Sequence, residues 1–533
     1  MVYDIIIRNG TIFEGSGNCW FRADIGVKDG RIEHIGKLKE ASAAQKIDAK
    51  KAVVAPGFID THSHSDLMLL VEPEAKPKIM QGVTTELLGQ DGISCAPLTD
   101  KEIRTSMKKR LAGLLGTIDL EWSWNSFGDY LDALEQHRTA PNIASLVPHG
   151  SVRASIMQFE DRIPSPSELE AMKHLLSKSM KEGGFGMSTG LVYPPCSYAQ
   201  PEELVELCKV VAEYHGVFVS HIRNESDYLV EALKEVIDVS EKAGVALHVS
   251  HFKVYGEANR PKLKDALALV DDARRSGVDI TLDVYPYIAG STMLDGMIPH
   301  WAHRGGSEKL LERLQDPTNR ERIKKNWDGR EEIPGWDNWL KWTGWDKIMI
   351  TWVQSEKNKP LEGKTIAEIA QIVGKDPPEL VFDLLVEEEL AVSEVDFWGR
   401  EEDVATVMKH EASMVATDGL LGGRPHPRVF GTYPRVLGKF VREDRVLPLR
   451  EALRKMTAFP AQRLGLQDRG LLREGFAADI TIFDPDYVID TATYQDPLQF
   501  PEGIKYVLVN GTVVNEKGRH TGQLPGKILR HQA

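Results

Sequence analysis

The sequence predicts an α/β fold: a (β/α)8 TIM-type barrel, a small β-sandwich domain built from both chain termini, and an insertion at the barrel rim. Three observations point to it. Strand-like runs alternate with amphipathic helical stretches through the middle of the chain, both ends carry β texture without helices, and one charged, Trp-rich stretch interrupts the alternation.

Residues 1 to 55 set strand-like runs (Tyr3 to Arg8, Ala23 to Val27, Arg31 to Ile35) between turn signals such as Asn9-Gly10 and Asp29-Gly30. The same texture returns in Ala478 to Phe483 and Ile504 to Val514, so 1–55 plus 466–533 reads as one small β domain. The segment 56–465 between them reads as the barrel. Its clearest stretch runs from a strand at Gly216 to His221, through a helix near Tyr228 to Lys242, to a strand at Gly244 to His251. A second helix, Lys262 to Ser276, then leads to a strand at Gly277 to Asp283. The repeat of about 30 residues is the size of a βαβ unit. Gly216, Gly244 and Gly277 stand where helices exit, the position that favours a left-handed residue. Residues 304–345, broken by Pro334 and Gly335, read as the rim insertion.

The 533 residues, 42% hydrophobic and 27% charged, exclude fibrous and largely disordered classes. A net charge of -14 has the wrong sign for a surface that binds nucleic acid or an anionic membrane. Leu67 to Val71, the longest apolar run near the start, is far short of the ~18 residues of a membrane span. Asp4 and Arg8 flank the first apolar residues, which gives no secretory pattern, and four scattered cysteines make no disulfide framework. These features predict a cytoplasmic protein with a small-molecule partner. Oligomeric state has no mark in the sequence.

The strongest local motif is Pro56-Gly57-Phe58-Ile59-Asp60-Thr61-His62-Ser63-His64. On a strand, histidines at i and i+2 share one face, as two ligands of one metal ion require. His221 and His251 close two successive strands at their C-terminal ends, where barrel active sites assemble, and Asp418 in Ser413-Met-Val-Ala-Thr-Asp occupies the same kind of place. His248, three residues before His251, points to the other face and reads as a core or supporting residue.

These features resemble the amidohydrolase superfamily. Closer motifs are Gln81-Gly-Val-Thr-Thr, Gly186-Met-Ser-Thr-Gly-Leu-Val-Tyr-Pro-Pro195, Ser220-His-Ile-Arg-Asn-Glu225, His251-Phe-Lys253, Asp283-Val-Tyr-Pro-Tyr287 and His426-Pro-Arg428-Val-Phe-Gly-Thr-Tyr-Pro-Arg435. Together they resemble the D-aminoacylases, the N-acyl-D-amino-acid deacylases, over nearly the whole chain. The resemblance implies a barrel carrying one or two divalent ions, zinc first, that hydrolyses the amide of an N-acyl-D-amino acid. It implies that His62 and His64 ligate one ion, that His221 and His251 ligate the other, and that Asp91 serves both. Asp418 is then the general base, taking a proton from the attacking water and delivering it to the leaving amine.

One departure stands out. Where the family places a cysteine ligand in Gly-Asn-Cys-Gly-Ile-Ser, this chain has Gly89-Gln90-Asp91-Gly92-Ile93-Ser94. Cys95 falls four residues late and reads as a small buried residue. A carboxylate in place of a thiolate hardens the site and favours a binuclear centre or use of manganese or cobalt. For the substrate carboxylate, Lys253 lies two residues beyond His251 on the same face of a continuing strand. The resemblance adds Tyr193, Tyr285 or Tyr287, and Arg428.

Other chemistries have footholds. Gly186-Met-Ser188-Thr-Gly190 matches a serine-hydrolase elbow, but Pro194 and Pro195 oppose the helix that must follow. Cyclic amides of the dihydroorotase or hydantoinase type, and dipeptides ending in a D-residue, are the alternative substrates of a metal site. The former family usually bridges its metals with a carboxylated lysine, and no lysine here holds a comparable strand end. A catalytically silent scaffold is disfavoured because ligands and base are all present.

Overall fold

The computed structural model describes residues 2–532. Its centre is a ring of parallel strands in chain order: β1 (Phe58–Asp60), β2 (Val83–Leu88), β3 (Asn142–Ser145, resumed at Val147–Pro148), β4 (Gly186–Gly190), β5 (Val217–His221), β6 (Ala246–Val249), β7 (Ile280–Val284) and β8 (Ser413–Val415). Each pairs in parallel with the next. The ring closes just beyond the last strand, where Ser63 bridges Gly419 in parallel, Asp418 N–H donates to the His62 carbonyl at 2.9 Å and His64 N–H to the Gly419 carbonyl at 3.2 Å. Closure removes both sheet edges.

The strand residues are almost all buried, as expected for parallel strands covered by helices outside and packed inside. Leu229–Ala243 and Lys262–Ser276 form as the periodicity requires, and each ends in a left-handed glycine, Gly244 and Gly277. At the third exit the expectation fails: the helix ends at Glu213 and His215, not Gly216, takes the positive φ of 53°. Gly57 links the terminal sheet to β1. A Cβ there would fall 2.1 Å from Thr84 Oγ1, so only glycine passes.

Both chain ends do share a sheet. Thr11–Ile12, Phe21–Arg22 and Val53–Pro56 join Ile480–Phe483, Ile504–Val509, Thr512–Glu516 and Arg519–His520 in seven strands. A four-stranded sheet, containing Val2–Arg8 and an unforeseen strand Ser42–Asp48, packs against it through Ile5, Ile7, Ile25 and Val27 on one side and Ile480, Ile482 and Leu508 on the other. The interruption between β7 and β8 is wider than 304–345. It includes helices Ser307–Gln315, Pro317–Trp327 and Trp339–Thr343, and an antiparallel sheet of Ala289–Met293, Val392–Phe397 and Ile348–Val353. Among the described residues, no helix is long and apolar enough to cross a membrane.

Asp479, beside the terminal sheet, ties it to the barrel. It pairs with Arg469, accepts from Asn142 Nδ2 at 3.0 Å and from Asn510 N–H at 2.6 Å, and is 5% exposed. Asp479→Ala removes the buried partner of the Arg469 guanidinium and leaves the Asn510 N–H without its acceptor, and is expected to lower unfolding stability by about 3 kcal/mol; urea unfolding followed by tryptophan fluorescence measures it.

Candidate metal centre and active site

The candidate ligands stand at or just after the C-terminal ends of the barrel strands. His62 and His64 follow β1, Asp91 follows β2, His221 ends β5, His251 lies two residues past β6 and Asp418 three past β8. None is more than 5% exposed. Three of them, Asp91, His251 and Asp418, have left-handed backbones with φ of 54°, 33° and 48°. Such conformations are uncommon outside glycine and concentrate at functional sites. Gly92 follows Asp91 in the same region, and a Cβ there would strike Cys196 Sγ at 2.6 Å and Thr189 Cα at 2.8 Å.

Two ligand groups result, and they share a member. Donor atoms of His62, His64, Asp91 and Asp418 all lie within 4.8 Å of one another, and so do those of Asp91, His221 and His251. His62 Nε2 is 3.3 Å from His64 Nε2, and Asp418 Oδ1 is 3.4 Å from both. Asp91 Oδ2 lies 3.4 Å from His64 and 3.6 Å from His62, while Oδ1 lies 3.7 Å from His251. Asp91 Oδ1 and the Nδ1 atoms of His62, His64 and His221 have no hydrogen-bond partner. Cys95 belongs to neither group: it is fully buried, and burial holds its thiol protonated.

The electrostatics are those of a site short of positive charge. Burial disfavours charge on His64, but hydrogen bonds to Asp418 and Asp91 outweigh it and raise its pKa to about 9. On His251, burial and Lys253 oppose charge while Asp91 and Glu225 carry the pKa to about 10. His221 is pushed down to about 3, first by burial, against the pull of Glu225. Burial works to raise Asp91 and Asp418, yet both fall well below the ordinary carboxylate range, Asp91 chiefly through His62 and Asp418 chiefly through Arg428. Positive charge is therefore favoured on His64 and His251 and not on His221, and a cation taken up there displaces those protons. The all-nitrogen-and-oxygen donor set suits zinc and equally manganese or cobalt.

A narrow cavity opens over these groups. Lys253 reaches it, although β6 has already ended. Its Nζ lies 2.9 Å from His251 Nδ1 and 2.7 Å from Glu225. Tyr193 packs edge-on to His221 at 5.3 Å and its hydroxyl meets Thr292 Oγ1 at 2.9 Å. Tyr285 lines the cavity with an unpartnered hydroxyl, whereas Tyr287 turns away to Asp490, 3.3 Å off. Arg428 lies over the Tyr285 ring and its Nη1 is 2.9 Å from Asp418 Oδ2. Ser188 is committed elsewhere: its hydroxyl donates to the Gly89 carbonyl at 2.5 Å and accepts from Gly92 N–H, and the chain beyond it turns without a helix. His248 pairs with Asp283 at 2.8 Å, and Asp283 also accepts from the His251 backbone.

Sequence reading missed several contributors. Glu225, four residues after His221, braces both Lys253 and His251; its place in the Ser220–Glu225 motif was the available signal. Lys78 is fully buried and joins the two ends of the ring, with Nζ 2.6 Å from Asp60, 2.8 Å from Ser63 and 2.7 Å from Thr417. Glu394, Asp396 and Trp339 come from the insertion, where no periodicity marks them.

A closed parallel barrel with histidines and carboxylates meeting at its C-terminal mouth defines a metal-dependent hydrolase. The chain matches the Amidohydrolase family over residues 45–516 and belongs to it. It is 35% identical to a D-aminoacylase and 36% identical to an N-acyl-D-glutamate deacylase, both of Alcaligenes xylosoxydans xylosoxydans. These alignments cover 100% and 99% of this chain and 98% and 97% of those proteins. The structure of N-acyl-D-glutamate deacylase from Bordetella bronchiseptica, complexed with zinc and a phosphonate mimic of the tetrahedral intermediate, superposes with a TM-score of 0.84 at 35% identity, covering 99% of this chain and all of that one. A D-aminoacylase with a binuclear metal centre gives 0.83 at 34% identity, with the same coverage. A D-hydantoinase, at 0.54 and 16% identity, shares the fold.

Asp91 is the one side chain common to both ligand groups. Asp91→Asn is therefore expected to drop bound metal to well below one equivalent per chain after gel filtration, while far-UV circular dichroism is kept; elemental analysis reads the loss.

Proposed function

We propose that this protein hydrolyses N-acyl-D-amino acids to a carboxylic acid and a free D-amino acid, with one or two divalent ions held by His62, His64, Asp91, His221 and His251. The observation that carries the proposal is the pair of ligand groups joined at Asp91, with Asp418 facing the first of them. When bound, the metal supplies Lewis acidity, lowering the pKa of water and polarising the scissile carbonyl. The choice of N-acyl-D-amino acids, D over L included, draws on the full-length relatives.

The protein's own groups do the rest. Arg428 keeps Asp418 ionised and fixes its Oδ2, leaving Oδ1 turned to the histidines. Asp418 takes the proton of the attacking water and returns it to the departing nitrogen, which leaves only as a neutral amine. Glu225 holds Lys253 against His251, so its ammonium faces the cavity in a fixed position. That ammonium, the free Tyr285 hydroxyl and the unpartnered Nε of Arg428 supply donors for the substrate carboxylate. The cyclic-amide reading is less well supported, because an aspartate, Asp91, is shared by the two ligand groups where the hydantoinase and dihydroorotase type uses a carboxylated lysine. We read the terminal β unit (1–55 with 466–533) as the support of the barrel domain (56–465), with 304–345 as part of the cover over its mouth.

Two outcomes test this reading. A chiral panel of N-acetyl and N-formyl amino acids is expected to show turnover of D forms that dialysis against a chelator abolishes and added zinc restores; equal turnover of L forms would refute the stereochemical part. Asp418→Asn is expected to keep its metal and lose about 10³-fold or more in kcat, with elemental analysis and initial rates measured on the same preparation.

A further inference from the structure

Beyond the metal-bearing barrel ends, one wall of the cavity comes from the insertion, and its chemistry is acidic. Gly290, Ser291, Thr292 and Asp396 line the cavity from the antiparallel pair Ala289–Met293 and Val392–Phe397. In that pair Gly290 stands opposite Asp396 and Thr292 opposite Glu394. Directly opposed residues share a face, and so do residues two apart on one strand, which puts Glu394 on the same side as Asp396. Asp396 is 4% exposed and Glu394 3%.

Neither acid has a cation of its own. Lys253 is paired with Glu225 and Arg428 with Asp418. Among the described residues, no salt bridge includes Asp396 or Glu394. Asp396 accepts from the Tyr255 hydroxyl, and both carboxylate oxygens of Glu394 lack any partner. Burial raises both acids, Asp396 to about 7 and Glu394 well above the ordinary carboxylate range, so each gives up its charge to a proton unless a cation faces it. The backbone leaves the approach open: a Cβ at Gly290 would lie 3.0 Å from Asp396 Oδ1 and 3.4 Å from the Tyr255 hydroxyl. The neighbouring Ser291 carbonyl accepts from Arg428 at 3.1 Å, so the acidic wall adjoins the group assigned to the substrate carboxylate.

Resting on the proposed hydrolysis, we infer that Asp396, backed by Glu394, selects N-acyl-D-amino acids whose side chain ends in a cation, an ammonium or a guanidinium. Arg428 and Lys253 meet the α-carboxylate, and the side-chain cation ends against Asp396 in the space that Gly290 leaves. The competing role, in which Asp396 only balances the charge of Lys253 and Arg428, would act on every substrate alike.

The test compares kcat/KM for N-acetyl-D-lysine with N-acetyl-D-norleucine, and for N-acetyl-D-arginine with N-acetyl-D-citrulline, which keep the chain and remove the charge. The wild-type protein is expected to favour each charged substrate by at least about tenfold, the scale of one charge-assisted hydrogen bond. Asp396→Asn, and independently Gly290→Ala, are expected to collapse that ratio towards one. Parity in the wild-type protein, or a ratio unchanged in both variants, overturns the assignment while the hydrolytic reading stands. Absence of turnover on every N-acyl-D-amino acid removes both together.

Discussion

The structure depends on the burial of two carboxylates, Asp91 and Asp418, at 4% and 5% exposure beside four imidazoles. Charges so placed are tolerable only if opposite charge is built around them. Arg428 supplies part of it to Asp418, and neighbouring carboxylates raise the pKa values of His64 and His251 so that protonated imidazoles can supply more. A divalent ion meets the same need with a fixed geometry. The replacement of a family cysteine by Asp91 sharpens the constraint, because a carboxylate offers two oxygens, and its two oxygens face different histidines, Oδ2 towards His62 and His64 and Oδ1 towards His251.

That arrangement holds together only because the barrel closes. His62 and Asp418 are more than 350 residues apart in sequence, yet their backbones are hydrogen-bonded to each other. The Lys78 ammonium secures the seam from below, gathering Asp60 and Ser63 near the first strand and Thr417 near the last. Broken at this point, the ring would take from both Lys78 and Asp60 the Thr417 hydroxyl they share, so the same contacts that close the sheet also hold the candidate ligand loops in register.

Much of this was legible in the sequence, for identifiable reasons. His-x-His, the paired strand-end histidines and the Asp-Gly turn are local patterns, and the βαβ repeat says which end of the barrel they occupy. The geometry behind them was less regular than the pattern implied: His251, Lys253 and Asp418 lie beyond their strands, and left-handed backbone at His251 and Asp418, not strand alternation, accompanies their placement in the mouth. Tyr285 and Tyr287 share a motif, and only tertiary packing separates the one in the cavity from the one held by Asp490. Asp396 and Glu394 gave no signal because acids alternating in a short strand look solvent-facing, whereas Val392–Phe397 is paired on both sides in the insertion and its acids are buried.

The division of labour follows the architecture. On the proposed reading, residues at the barrel mouth bring what every substrate of the enzyme needs: metal ligands, a proton carrier and donors for the α-carboxylate. The wall that differs in chemical character comes from the long excursion between β7 and β8, whose antiparallel strands place Gly290, Thr292 and Asp396 against the cavity without passing through the ring. A change there alters what fits and what charge is matched while the closing contacts at Ser63 and Gly419 stay untouched. On the inference above, selectivity is set by an element that barrel closure does not require, so its acids can change without disturbing the ring.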